Sequence, residues 1–154
     1  MRAVVQRVVR ATVTVDGDVC GAISKGLLVF LGVGAGDGLT EAEQLSGKVA
    51  ALRIFEDESG RMNRSAAEVG ASVLCVSQFT LYGDVRRGNR PSFDGAAPPQ
   101  QTNALYLAFC AQIEALGLPC ERGIFGAHME VDLLNDGPVT LVLDTSEMAR
   151  PRSQ

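Results

Sequence analysis

The chain has 154 residues, 46% of them apolar and 17 of them glycine, with a formal net charge of −4. That length buries a core without disulfide or metal support, so one domain is expected. The acidic balance excludes broad nucleic-acid binding through a basic surface and leaves only local contacts. No apolar run approaches the span of a bilayer, and the alternating N-terminus lacks a signal-peptide core, so a cytoplasmic protein with no membrane partner is expected.

Residues 3–15 are rich in β-branched side chains, and in "ATVTV" Ala11, Val13 and Val15 share one face. Asp16-Gly17-Asp18 turns this strand into a hairpin. "GLLVFLGV", residues 26–33, is a continuous apolar run suited to burial on both faces. Thr40 and Glu43 then read as a capping box, with Ala42, Leu45, Val49 and Leu52 at helical spacing behind it. "ASVLCVSQFTLYG", 71–83, predicts another strand. A second helix begins near Pro98-Pro99, buries Leu105, Phe109, Ile113 and Leu116, and stops at Gly117. Two final strands, 129–134 and 139–144, flank Asn135-Asp136-Gly137-Pro138, because proline cannot donate a ladder hydrogen bond and glycine weakens a strand interior. The pattern predicts a strand-rich mixed α/β single domain over 1–145, a β-sheet framework interrupted by two helices, with a loose polar tail over 146–154.

Candidate chemistry is sparse. Gly32-x-Gly34 in "GVGAGDG" follows a strand and precedes a helix, but Asp37 stands where a dinucleotide-binding turn has its third glycine and would repel a pyrophosphate. Cys20, Cys75, Cys110 and Cys120 lack C-x-x-C spacing and read as packed thiols, so no metal or cofactor is expected. The only histidine, His128, heads an alternating strand without a nucleophile motif beside it and reads as structural or solvated. Ser77, Gln78 and Thr80 interrupt an apolar run, where unpartnered polar groups cost about 1–3 kcal/mol each. Strand alternation puts Gln78 and Thr80 on one face and Ser77 and Phe79 on the other. Either a satisfied sheet edge or a polar pocket floor fits. Arg86, Arg87 and Arg90 follow in a turn-rich loop, as a solvated cluster or as phosphate contacts.

"SQFTL" at 77–81, "RGNRPSF" at 87–93 and "NDGPVT" at 135–140 stand in an order and spacing that resemble the D-aminoacyl-tRNA deacylase family, also called D-tyrosyl-tRNA deacylase. The likeness runs from the N-terminus to about Asp144. It implies a homodimeric editing hydrolase that cleaves the ester of D-aminoacyl-tRNA or glycyl-tRNA. The resemblance further implies that Gly137-Pro138 is cis and enters the partner subunit's site, rejecting L-amino acids by their Cβ. It puts Ser77, Gln78, Phe79 and Thr80 at the chemistry, with the terminal 2′-hydroxyl of tRNA assisting and backbone N–H groups around Phe79 and Thr80 holding the oxyanion. Phe125, Met129 and Thr140 would support the pocket, Arg7 would orient the Gly-Pro loop, and Arg86, Arg87 and Arg90 would contact tRNA. Two other readings stay open: a non-enzymatic oligomeric binding module, and a cysteine-dependent thioesterase using Cys75 and His128.

Overall fold

One 14-residue strand organises the fold: β1, Arg2–Val15. The computed structural model describes residues 1–153. After β1 come β2 (Asp18–Ile23), β3 (Gly26–Gly32), α1 (Leu39–Ala51), the small hairpin β4 (Phe55–Glu56) and β5 (Met62–Arg64), and β6 (Ser72–Ser77). A 3₁₀ turn (Phe79–Tyr82), α2 (Pro99–Ala115), β7 (Cys120–Arg122), β8 (Glu130–Asp144) and α3 (Thr145–Met148) complete the order. The result is a strand-rich mixed α/β domain.

The β1–β2 hairpin closes at Asp16 and Gly17, whose φ of 49° and 83° are the left-handed pair that a two-residue turn matching strand twist requires. Antiparallel to β1, β3 pairs from Arg2↔Gly32 to Val8↔Gly26. Two parallel ladders then extend the sheet, β3 to β6 and β6 to β7. As the apolar run implies, β3 is buried on both sides. Leu27, Val29 and Leu31 face Leu45 of α1 and Phe109 and Ile113 of α2 in one core cluster, while Leu28 joins Val8, Val13 and Leu74 in another. Each such side chain contributes roughly 1.5–3 kcal/mol by leaving water.

Four expectations need correction. The first helix begins at Leu39, with Gly38 as its cap: the Glu41 carboxylate accepts the Gly38 N–H at 2.7 Å, and Thr40 lies inside the first turn. The loop before it is closed by Asp37, which accepts the Gly34 N–H at 2.6 Å and so starts the helix early. Leu116 is 48% exposed, because α2 ends at Ala115 and Gly117, at φ 90°, swings Leu118 into the core in its place.

The third correction concerns "NDGPVT". Residues 129–134 and 139–144 are not two strands parted by a turn; they belong to one 15-residue strand, β8, that follows β1 from Thr14↔Glu130 to Arg2↔Asp144. The register shifts opposite Arg7 and Val9, so Gly137-Pro138, a cis peptide, sits in a bulge. Asn135 holds the bulge closed, its Nδ2 donating to the carbonyls of Arg7 and Val139 at 3.0 Å each. Fourth, part of the stretch expected to be loose is a helical turn: the Asp144 carboxylate caps α3 by accepting the Ser146 N–H, and Thr145 is buried against Met1. Residue 154 of that stretch lies outside the described residues. No helix among the described residues is long and apolar enough to cross a membrane.

Candidate active site

The site grows from the end of β6. Its last ladder bond carries the Gln78 N–H to the Leu31 carbonyl at 2.7 Å, after which Gln78 (φ −138°, ψ 79°) leaves the strand and Phe79–Tyr82 wind into the 3₁₀ turn. The strand predicted to run to residue 83 therefore stops at Ser77, and the alternation of faces stops with it. Gln78 and Thr80 meet through the turn instead, the Gln78 Nε2 donating to the Thr80 hydroxyl. This ending also resolves the cost of the polar run. Ser77 and Gln78 are half-buried, and Thr80 is exposed.

A 3₁₀ turn satisfies its later N–H groups internally: Leu81 donates to the Gln78 carbonyl at 3.2 Å and Gly83 to the Thr80 carbonyl at 2.9 Å. The N–H groups of Phe79 and Thr80 find no acceptor among the described residues. Two free donors thus stand side by side.

Beside them opens a cavity of about 570 Å³. Val76, Ser77, Gln78 and Phe79 form one wall, Phe93, Ala96, Ala97 and Thr102 a second, and Phe125, His128, Met129 and Val131 a third. Phe79 meets Phe93 edge to face with ring centroids 5.0 Å apart, and Phe125 leans on Tyr106 at 6.4 Å. The lining is mostly apolar, with Ser77, Gln78, Thr102 and His128 as its polar side chains, the composition usual for a small-molecule site.

The structure gathers Ser77, Gln78, Phe79, Phe125 and Met129 at this cavity, with Thr80 next to it. It also adds a residue that sequence reasoning set aside. His128 lies on the loop before β8 and is the one titratable side chain lining the cavity among the described residues. Cys75 is not there: its side chain is fully buried on the opposite face of β6 from Val76, packed in the cluster with Phe109. A Cys75–His128 dyad has no geometry to support it.

Gly137, Pro138, Arg7 and Thr140 lie elsewhere. Val131 lines the cavity and Gly137 is six residues further along β8, roughly 20 Å at strand rise. Arg7, 6% exposed, donates from Nη1 to the Ile54 carbonyl at 2.6 Å and from Nε to the Asp136 carbonyl at 3.2 Å, with the Asp136 carboxylate 3.3 Å away. Thr140 accepts from Gln6 Nε2 at 3.1 Å on the exposed face of β8. In the arginine loop, Arg86 forks onto Asp84 at 2.6–2.9 Å, and that hydrogen bonding holds the Asp84 carboxyl down at about 2. Arg87 and Arg90 have no carboxylate within 4.0 Å among the described residues.

Compared by fold, the chain matches a structure titled as a probable eukaryotic D-amino acid tRNA deacylase with a TM-score of 0.78 at 17% identity, covering 92% of this chain and 97% of that one. The class is therefore the deacylase-type α/β fold. The chain belongs to the D-Tyr-tRNA(Tyr) deacylase family, whose sequence model matches residues 4–144. It is 61% identical to a D-aminoacyl-tRNA deacylase of Koribacter versatilis, over 96% of this chain and 99% of that protein. To one of Deinococcus radiodurans it is 58% identical, over 94% and 99%. A solved structure titled c-Myc DNA Unwinding Element Binding Protein is 44% identical, with a TM-score of 0.89 over 94% of this chain and 98% of that one.

Proposed function

We propose that this protein is a D-aminoacyl-tRNA deacylase, acting in the cytoplasm as a homodimer on D-aminoacyl-tRNA and on glycyl-tRNA. Water attacks the ester carbonyl carbon, the bond to the ribose oxygen breaks, and free amino acid and tRNA leave. The observation that carries this reading is the pair of unpartnered N–H groups at Phe79 and Thr80 beside a cavity lined by Ser77, Gln78, Phe125 and Met129. An ester carbonyl seated there gains hydrogen bonds as its oxygen becomes anionic.

Family resemblance supplies the chiral filter, and the position of the bulge supports it. Gly137-Pro138 is too far along β8 to serve its own cavity, yet it is exposed on a long strand whose outer edge is unpaired, with Val142 76% and Leu134 48% exposed. A second copy docked along that edge would receive the bulge and cover the apolar side chains. Backbone fixed in that way leaves room for hydrogen but not for the Cβ of an L-residue, and glycine passes for the same reason. Incubation of D- and L-tyrosyl-tRNA with the protein tests the reading: rapid loss of the D-ester alone is expected, and equal stability of both esters overturns it.

Two outcomes follow for side chains. Thr80→Ala keeps the backbone donor and loses only a hydroxyl already held by Gln78, so its deacylation rate should stay within about tenfold of wild type. A fall to background with the fold intact would make the hydroxyl the nucleophile. Replacing Arg86, Arg87 and Arg90 together by alanine should weaken tRNA binding and flatten its salt dependence, since each phosphate contact releases counterions. Arg87 and Arg90 should account for most of the change, because Arg86 is already paired with Asp84. An unchanged salt slope would make the loop merely solvated.

A further inference from the structure

The glycines of "GVGAGDG" bind no phosphate. The Asp37 carboxylate accepts the Gly34 N–H and pairs with the Met1 ammonium at 2.8 Å, so a carboxylate fills the place an anion would take. Their use lies on the other side. A Cβ on Gly32 would meet the Leu81 Cβ at 3.0 Å and the Gln78 carbonyl at 3.1 Å; one on Gly34 would meet the Tyr82 ring at 2.8–2.9 Å. The two glycines are the seat on which the 3₁₀ turn rests.

Arg2 closes that seat from the start of β1. Its Nη1 donates to the Leu81 carbonyl at 3.0 Å, its Nε donates to Asp144 at 3.0 Å, and its guanidinium carbon lies 4.5 Å from the centre of the Tyr82 ring. The Tyr82 hydroxyl in turn points to Asp37 at 3.4 Å. A planar fork satisfies two acceptors and a ring face at once, which an ammonium cannot do.

We propose that Arg2 is a positioning residue for deacylation: it clamps Leu81 and Tyr82 onto Gly32 and Gly34, and so fixes the Phe79 and Thr80 N–H groups beside the cavity. Arg2 does not line that cavity. This inference rests on the proposed reading of those two donors as the oxyanion's partners. Donors aimed in advance are what such a site needs, and a displacement on the order of 1 Å is enough to cost one to two orders of magnitude in rate.

The experiment pairs steady-state hydrolysis of D-tyrosyl-tRNA with amide hydrogen exchange. Arg2→Met should lower kcat about tenfold, leave KM for tRNA within about twofold, and raise exchange at the bonded amides of 81–83 while β3 stays protected. Arg2→Lys, which retains charge beside Asp144 without the fork, should recover thermal stability but not kcat. Gly34→Ala displaces Tyr82 from the opposite side and should lower kcat in the same way. Wild-type kcat in Arg2→Met, or full recovery of kcat by Arg2→Lys, overturns the proposal. If wild type hydrolyses no D-aminoacyl ester, the reading of the donors fails separately. Exchange at 81–83 then decides alone whether Arg2 holds the turn, unchanged exchange refuting it.

Discussion

D-aminoacyl-tRNA whose terminal 2′-hydroxyl is replaced by hydrogen should be hydrolysed at least about a hundredfold more slowly, the lower end of what a positioned acid or base contributes. Thr80 is exposed and engaged with Gln78, and Cys75 is sealed behind β6. On the proposed reading the protein contributes two backbone donors, which stabilise charge but move no proton, and His128 is the one titratable side chain at the cavity among the described residues. The vicinal hydroxyl of the substrate sits next to the reacting ester in every aminoacyl-tRNA and can orient water or receive its proton. Single-turnover rates of the normal and deoxy substrates decide the matter. Equal rates would return the task to the protein, and His128 would be the side chain to replace next.

Arg7→Met should have the second large effect, on selectivity and stability together. The guanidinium is the donor for the buried Ile54 carbonyl and for the Asp136 carbonyl, and leaving such acceptors unpaired costs about 1–3 kcal/mol each. The ion pair with Asp136 adds little, since that carboxylate is 43% exposed. With the arginine gone, the bulge keeps the Asn135 bonds and the flanking ladder, and Gly137-Pro138 loses its fixed height above the strand. Preference for D- over L-tyrosyl-tRNA should fall at least about tenfold in a variant that remains dimeric by sedimentation and is less stable to urea. Unaltered preference in such a dimer would separate Arg7 from the filter.

Much of the fold was legible because it is periodic. The β1–β2 hairpin, the doubly buried β3 and the apolar faces of α1 and α2 all follow from spacing within a dozen residues. The two largest errors, at β8 and β6, share one physical origin, which is partners remote in sequence. Gly-Pro breaks a strand locally, yet β8 runs through it because β1 pairs on both sides of the bulge and Arg7 and Asn135 hold it. β6 reads as continuing to residue 83, yet it stops at Ser77 because Gly32 and Gly34, more than forty residues earlier, leave the gap into which the turn folds. Ser77 to Thr80 stand in the motif "SQFTL", and Phe125 and Met129 were expected through the family resemblance; that Ser77, Gln78, Phe79, Phe125 and Met129 line one cavity follows from the fold and not from their chemistry. His128 was missed because a lone imidazole has no spacing signal; its place between Phe125 and Met129 was the hint.

β1 carries Arg2 toward the 3₁₀ turn and Arg7 toward the Gly-Pro bulge, with Ala3 and Val5 between them fully buried. Inserting or deleting one residue there would turn one arginine to the wrong face of the sheet and shift the ladders to β3 and β8 at once. The segment is therefore expected to keep one length among relatives. Beyond the buried Phe55, the turn of the β4–β5 hairpin, exposed over residues 58–63, can lengthen or shorten, and variation in chain length among relatives should gather there.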